Sequence, residues 1–190
     1  PFRKTPTMQP LALRVMRDEH QALSAMLRSM AMLLTKSRRD GQLPNFDVLR
    51  SMMFYVDEFP EKLHHSKEDS LLFPLLRKRV PELGAVLDRL GRDHERGEAA
   101  LRNLEHMLLA FEVMGEPRRD ALEKALETYS RNYFEHMALE EQQWLPAALK
   151  HFSAEDWTAL DAAFAANRDP LTGHDPEDAF RPLFSKIVNN

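Results

Sequence analysis

Four long stretches with few turn-forming residues constrain the fold of this chain more than any other feature. Breaks rich in Gly, Pro, Asn and Arg separate them, and each stretch is long enough for a helix of several turns. No stretch shows the apolar alternation of a β-strand. Short connections make neighbouring helices antiparallel, so the sequence predicts an all-α, up-down-up-down four-helix bundle. The predicted helices cover about residues 9–37, 46–78, 83–113 and 118–150.

Two shorter helices are predicted after the bundle. Ser153, with Asp156 three residues later, forms a variant of the capping box that begins a helix near 154–166. A last helical stretch follows over 177–188. The sequence therefore indicates a flexible lead-in (1–8), a bundle (9–150) and a C-terminal helical extension packed on the bundle (151–190).

Composition narrows the classes of function. The 190 residues suit one domain, and a net charge of -4 with a pI of about 6.1 gives no basic face for nucleic acid. No stretch is apolar enough to span a membrane, and the N-terminus lacks the apolar core of a signal peptide, so we expect a cytoplasmic protein. The chain has no cysteine, so any metal must bind imidazole and carboxylate. Both monomer and homodimer stay open.

Histidines interrupt the apolar face of all four long segments. His20 lies on the stripe of the first, between Met16 and Leu23, at the three- and four-residue steps of a helix face. The chain has four His-x3-Glu pairs, whereas random placement would give roughly 0.7. One of them, starting at His151, spans a helix break. The other three lie on predicted inward faces: His64 with Glu68, His94 with Glu98, and His136 with Glu140.

Buried carboxylates decide between a metal site and a purely structural core. A single histidine on an apolar face is most often a core residue with a hydrogen bond. Three glutamates in a bundle core would be costly as unpaired charges, whereas a bound cation makes their burial favourable. A metal-free bundle would leave these charges unpaired, so the pattern favours a metal site.

The ordered motifs resemble those of the hemerythrin-like, HHE cation-binding family, of the bacterial type. The resemblance lies in the lone histidine of the first helix, HHSKE followed by LLFP, then DHERGE, then EHMALEE followed by LP. It implies a non-haem di-iron centre inside the bundle, with an oxo or hydroxo bridge between two iron ions. By position, Glu68 and Glu140 would bridge the two metals.

The resemblance also implies how the ligands divide. One iron would take His20 and His64 and keep an open position for O2, and the other would take His94, Glu98 and His136. Oxygen-carrying members have histidine where this chain has Glu98. The added negative charge predicts a preference for the ferric state and for oxygen chemistry over reversible carriage. The mixed His and Glu set also suits manganese or zinc.

Two neighbours of these ligands are weaker candidates. His65 lies about 100° around the helix from His64, so it is expected at a helix interface or in solvent more than at the site. Tyr133, one turn before His136, is either core or a hydrogen-bond donor to a ligand. Pro60 predicts a kink in the second helix, one turn before His64.

The expected function is that of a di-iron protein that binds or reacts with O2, nitric oxide or peroxide, which includes redox activity as an enzyme. Iron storage, and an iron- or redox-responsive binding module, use the same site and stay open. A ferritin-like di-iron enzyme is less well supported. Its motif is Glu-x-x-His, and only Glu61 with His64 has that order on a predicted inward face.

Overall fold

The computed structural model describes residues 9–189, which form helices and connecting turns and contain no β-strand. The predicted all-α bundle is therefore confirmed, and its helix ends agree with the predicted ones within two residues. The predicted lead-in, residues 1–8, lies outside the described part of the chain. The α-helices are α1 (Leu11–Arg39), α2 (Phe46–Val56), α3 (Phe73–Arg79), α4 (Gly84–Met114), α5 (Arg119–His151), α6 (Ala154–Ala165) and α7 (Arg181–Val188).

The second long helix of the bundle changes its winding in the middle. Between α2 and α3 the chain continues through two π-helical segments, Asp57–His65 and Glu68–Leu72. Pro60 lies inside the first of them. In place of a predicted simple kink, the wider π turn accommodates a residue that has no N–H and that would clash with an α-helical carbonyl. Helical segments of this kind are rare and often lie at functional sites.

Local capping begins the helices that follow the turns. The Asn45 side chain accepts a hydrogen bond from the backbone N–H of Val48 and so caps α2. The predicted capping box of α6 is confirmed, because the Ser153 and Asp156 side chains each accept from the other residue's backbone N–H. Short 3₁₀ turns occupy Pro81–Leu83, Glu116–Arg118, Pro170–Thr172 and Asp178–Phe180.

Two apolar clusters fill the bundle, one towards each end. On α1, Leu13 and Met16 belong to one cluster, Leu23 and the apolar residues after it belong to the other, and His20 lies between them. Leu160 and Phe164 of α6 join the first cluster and Phe184 of α7 joins the second, so both short helices pack on the bundle. Within residues 9–189, no helix is long and apolar enough to cross a membrane.

Candidate metal centre

A layer of buried polar side chains separates the two apolar clusters. Every long helix of the bundle contributes to it, and each contributing side chain is buried. Side chains of this type are stable in a core only when they are paired or bind a cation. The layer consists of His20, His64, His65, Glu68, His94, His136 and Glu140.

Glu68 and Glu140 lie at the centre of this layer, and both are fully buried. The Oε1 of Glu68 is 3.1 Å from Nε2 of His64, and its Oε2 is 3.3 Å from Nε2 of His94. Glu140 repeats the arrangement, with Oε2 3.2 Å from Nε2 of His20 and Oε1 3.3 Å from Nε2 of His136. Each carboxylate therefore faces imidazoles on two sides.

The ligand atoms form two groups that share a carboxylate. Within each group, one potential ligand atom per residue lies within 4.8 Å of the others. In the second group the Nε2 atoms of His94 and His136 are 3.1 Å apart, and the His65 ring stacks on His94 at 4.1 Å between ring centroids. The groups are His20, His64, Glu68 and Glu140, and His65, Glu68, His94 and His136.

The central carboxylates are short of hydrogen-bond donors, and this tests whether the layer fits a metal. All four carboxylate oxygens of Glu68 and Glu140, and Nε2 of His64, are buried and receive no hydrogen bond from the described residues. Buried polar atoms in proteins are almost always satisfied. Oxygen and imidazole nitrogen atoms that converge in this way match the donor set of a divalent transition metal.

A second ring of carboxylates orients the imidazoles. The Nδ1 of His64 is 2.6 Å from Glu19, and Nδ1 of His94 is 2.9 Å from Asp69. A hydrogen bond at Nδ1 fixes the ring and leaves Nε2 free to bind a metal, as is usual for metal-binding histidines. The other contacts of this kind join His65 to Glu61 at 3.1 Å, His20 to Glu141 at 3.4 Å and, as a longer ion pair, His136 to Asp93 at 3.6 Å.

The structure does not bring Glu98 to the metal centre, contrary to the predicted inward position. Its side chain is 52% exposed and pairs with Arg102. The buried stripe of α4 takes the three-residue step from His94 to Gly97 rather than the four-residue step to Glu98. Gly97 faces the Tyr133 ring so closely that a Cβ there would lie 2.8 Å from the Tyr133 Oη. Close packing of α4 on α5 therefore turns Glu98 outward.

His65 stands near the second group of ligand atoms instead. The prediction set it about 100° away from His64, which holds for an α-helix but not for the wider turn of the π-helical segment. His64 and His65 are both buried, at 2% and 5% exposure, because the His65 ring packs against His94 of α4. The charge argument that rested on Glu98 as a ligand loses its structural basis.

Tyr133 reaches the site through an intermediate carboxylate. Its hydroxyl donates to Glu61, to which the Tyr129 hydroxyl also donates at 3.3 Å. The Tyr133 ring stacks on His65 with 5.5 Å between centroids. The predicted hydrogen bond to a ligand is thus made to the carboxylate that holds His65. The sequence carried a signal for Glu61, which lies four residues before His65, but none for Glu19, which is adjacent to His20 and off its stripe.

The pKa values of the buried histidines are shifted by their neighbours. Burial acts to lower the pKa of His94, but the hydrogen bond with Asp69 and the nearby Glu68 carboxylate outweigh it and raise the pKa to about 10. Against the same effect of burial, Glu140 and Glu141 raise the pKa of His20. Glu68 and Glu19 likewise raise that of His64 well above its ordinary value.

The remaining shifts complete the charge balance of the layer. Burial and the neighbouring histidines hold the pKa of His65 well below its ordinary value. Burial acts to raise the pKa of Glu140, but His136 and His20 hold it well below the usual range. The central carboxylates and the imidazoles of His20, His64 and His94 therefore favour each other's charged forms.

The chelated protein should lose stability as the pH rises from about 6.5 to about 10. A histidine whose pKa is raised on folding stabilises the fold fully below its unfolded pKa, and this contribution disappears as the pH passes its folded pKa. For His94 that window runs from 6.5 to about 10, and His20 and His64 act in the same direction. Thermal melts of chelated protein across this range measure the effect. Metal-loaded protein is the control, because high pH favours metal binding; an equal Tm for chelated protein at both ends would contradict the assignment.

Comparisons with known proteins give one family. The family model described as the hemerythrin HHE cation binding domain matches residues 11–148. This range contains the four long helices, apart from the last three residues of α5, and every residue of the two ligand groups. No curated protein and no solved structure matches the chain.

Proposed function

The chain belongs to the hemerythrin HHE cation-binding family, and from this premise we propose that it is a non-haem di-iron protein that binds or reacts with O2, nitric oxide or peroxide. The observation that carries the proposal is the pair of central glutamates, each of which presents its two oxygens to different histidines. Metal binding by a His and Glu cluster follows from the family and the geometry together. We propose in addition that the site binds two ions, that the metal is iron and that it reacts with small oxidants.

Two ions are supported by the way in which the ligands divide. One position has His20 and His64, and the other has His65, His94 and His136. Glu68 and Glu140 would serve both positions. Two carboxylates that each face both sides suit two cations better than one, since a single cation would leave oxygens on the far side unpaired.

Iron is the metal that the family resemblance implies, and the donor set accepts it. Imidazole and carboxylate ligands without thiolate suit iron, manganese and zinc. Bound iron would supply one-electron redox chemistry towards O2 and related oxidants. The chain's own contribution is to hold the imidazoles through Nδ1 and to surround them with apolar side chains, such as Phe73 against His94 and Phe164 against His64. These apolar side chains leave room only for small molecules to reach the site.

The histidine count makes the two positions unequal. The His20 and His64 position has one imidazole fewer than the other, so it is where a small ligand would bind. His20 and His64 are close, with 5.0 Å between ring centroids, and both are nearly inaccessible to solvent. We therefore assign ligand binding to this position and a structural and electronic role to the position with three histidines.

Stopped-flow spectroscopy tests the reaction. Protein loaded anaerobically with ferrous iron is mixed with O2, nitric oxide or hydrogen peroxide, and the near-ultraviolet charge-transfer bands are followed. We expect a fast spectral change with at least one of the three, which slows or disappears in His20→Ala. The matched control is His106→Ala, at an exposed histidine of α4, and it should behave as the wild type. No spectral change with any of the three reagents would contradict the proposed function.

Alanine substitutions of His65 and of Glu98 test which of the two side chains binds metal. His65→Ala should lower the metal content from about two ions per chain towards about one, because the three-histidine position loses one of its imidazoles. Glu98→Ala should leave both ions bound, since its carboxylate is exposed and pairs with Arg102. Elemental analysis after anaerobic loading with ferrous iron measures both. The reverse result would restore Glu98 as a ligand and remove His65.

A further inference from the structure

Residues beyond the family match reach the metal centre. The match ends at residue 148, and the segment that follows α6 lies against the two-histidine position. Phe164 is fully buried and its ring meets the His64 ring edge-on at 5.9 Å. Two polar side chains after it, Asn167 and Asp169, are buried at 4% and 3% exposure. Buried polar residues in a loop need partners, and the partner of the Asn167 amide is Glu19, whose carboxylate contacts His64.

Asn167 holds the carboxylate that orients His64. Its side-chain amide donates to both oxygens of Glu19, at 2.9 and 3.2 Å. The Oε2 of Glu19 in turn lies 2.6 Å from Nδ1 of His64. Lys67 donates to the Asn167 carbonyl oxygen and so fixes which way the amide points. The result is an unbroken hydrogen-bonded path from the extension to a metal-facing imidazole.

The backbone is held in an unfavourable conformation to make these contacts. Arg168, between the two buried residues, has a φ of 46°, and no other non-glycine residue in 9–189 has a positive φ. Such a conformation is costly for a residue with a Cβ and persists where the surroundings enforce it. The Tyr55 hydroxyl donates to Asp169 at 2.6 Å, and the Leu171 N–H donates to the other oxygen at 2.9 Å. This anchor keeps Asn167 pointing inward.

We propose that Asn167 is a positioning residue of the metal centre, which fixes Glu19 and thereby sets metal retention at the His20 and His64 position alone. The inference rests on the proposed two-metal function. Selectivity follows from the contacts. Among the described residues, Phe164 and Asn167 contact His64 and its partner Glu19, while His65, His94 and His136 are held by carboxylates from the bundle itself.

Without the amide donors, Glu19 would keep His64 as its remaining hydrogen-bond partner. A buried carboxylate that loses two hydrogen-bond donors is no longer held in one position, and its movement weakens its hold on the imidazole. The hydrogen bonds of Asn167 and Glu19 join them to Lys67, to His64 and to each other, so their effect on the metal passes through the orientation of His64. Within residues 9–189, no hydrogen bond links the three-histidine position to the extension in this way.

Release of iron to a chelator tests the inference. Wild type, Asn167→Ala and Asn45→Ala are loaded with ferrous iron under anaerobic conditions and mixed with excess ferrozine. In Asn167→Ala we expect one ion per chain to leave about 3- to 10-fold faster, and the other at the wild-type rate, because partners of metal-binding histidines tune affinity strongly. Asn45→Ala removes the cap of α2 far from the site and controls for general destabilisation.

A second variant keeps the test decisive if Asn167→Ala folds poorly. Glu19→Gln retains the size of the side chain and should accelerate the same single ion about 10- to 100-fold. Equal acceleration of both ions, or wild-type release of both, would overturn the inference and leave the two-metal proposal intact. Wild-type protein that holds one ion or none would overturn both. Faster loss of both ions in Asn45→Ala would also overturn it, since stability alone would then explain release.

Discussion

Replacing Glu68 with glutamine should reduce the bound metal from about two ions per chain to less than about one, because a neutral amide is a poor bridge between two cations. Of the residues in the two ligand groups, only Glu68 and Glu140 have oxygens within 3.3 Å of imidazoles in both groups. Glutamine keeps the volume of the side chain, so the helix packing should survive. Metal analysis after anaerobic loading with ferrous iron, with circular dichroism to confirm the fold, measures the change.

The matched control for this variant is Glu127→Gln on α5, at an exposed glutamate outside the polar layer. It removes the same charge and should leave both ions bound. Glu140→Gln should match Glu68→Gln, since the two carboxylates hold equivalent positions between the ligand groups. A folded Glu68→Gln protein that still binds two ions with wild-type retention would contradict the bridging role.

Removing the metal should lower the Tm by about 10 °C at neutral pH. A ligand present at about a thousand times its dissociation constant stabilises a fold by about 4 kcal/mol, and for a chain of this size each kcal/mol corresponds to about 2–4 °C. The physical cause is the pair of buried carboxylates, whose oxygens receive no hydrogen bond from the described residues. Differential scanning calorimetry of loaded and chelated protein gives the two melting temperatures.

The Glu68→Gln variant serves as the control for this loss. It is expected to bind less than about one ion per chain, so its Tm should differ little between metal-treated and chelated protein. Identical melting curves for loaded and fully chelated wild type would show that the central carboxylates gain nothing from a cation. That outcome would leave the polar layer as a structural element of the bundle.

The fold was predictable because it depends on patterns within each helix. The stripe from Leu13 to Leu34, the turns between helices and the capping box at Ser153 are local features, and all of them appear in the structure. Local patterns also placed the polar layer, since His20, His64, His94 and His136 stand where apolar residues are expected. The periodicity within each helix therefore predicted which face of that helix points towards the core.

The make-up of the buried polar layer was predictable only where the winding and the packing are regular. The four-residue step from His94 predicts an inward position for Glu98, but the packing of Tyr133 against Gly97 selects the three-residue step. His65 was placed off the face because an α-helical turn was assumed, whereas the chain there is π-helical. Both differences arise from contacts between helices or from winding that no single-residue pattern encodes.

The contribution of the extension was not predictable from the sequence. Asn167 lies 148 residues from Glu19 in the chain, and the two meet because α6 packs on α1. The residue follows a helix in a turn-rich segment where asparagine is common, so its type carried no signal. Long-range contacts of this kind become visible only when the helices are assembled.

We propose that the buried His and Glu layer holds two metal ions. The number of iron ions per chain tests this, after anaerobic loading with ferrous iron, removal of unbound metal and elemental analysis against protein concentration. The two groups of converging ligand atoms predict about two ions per chain. Fewer than about one ion per chain would contradict the claim.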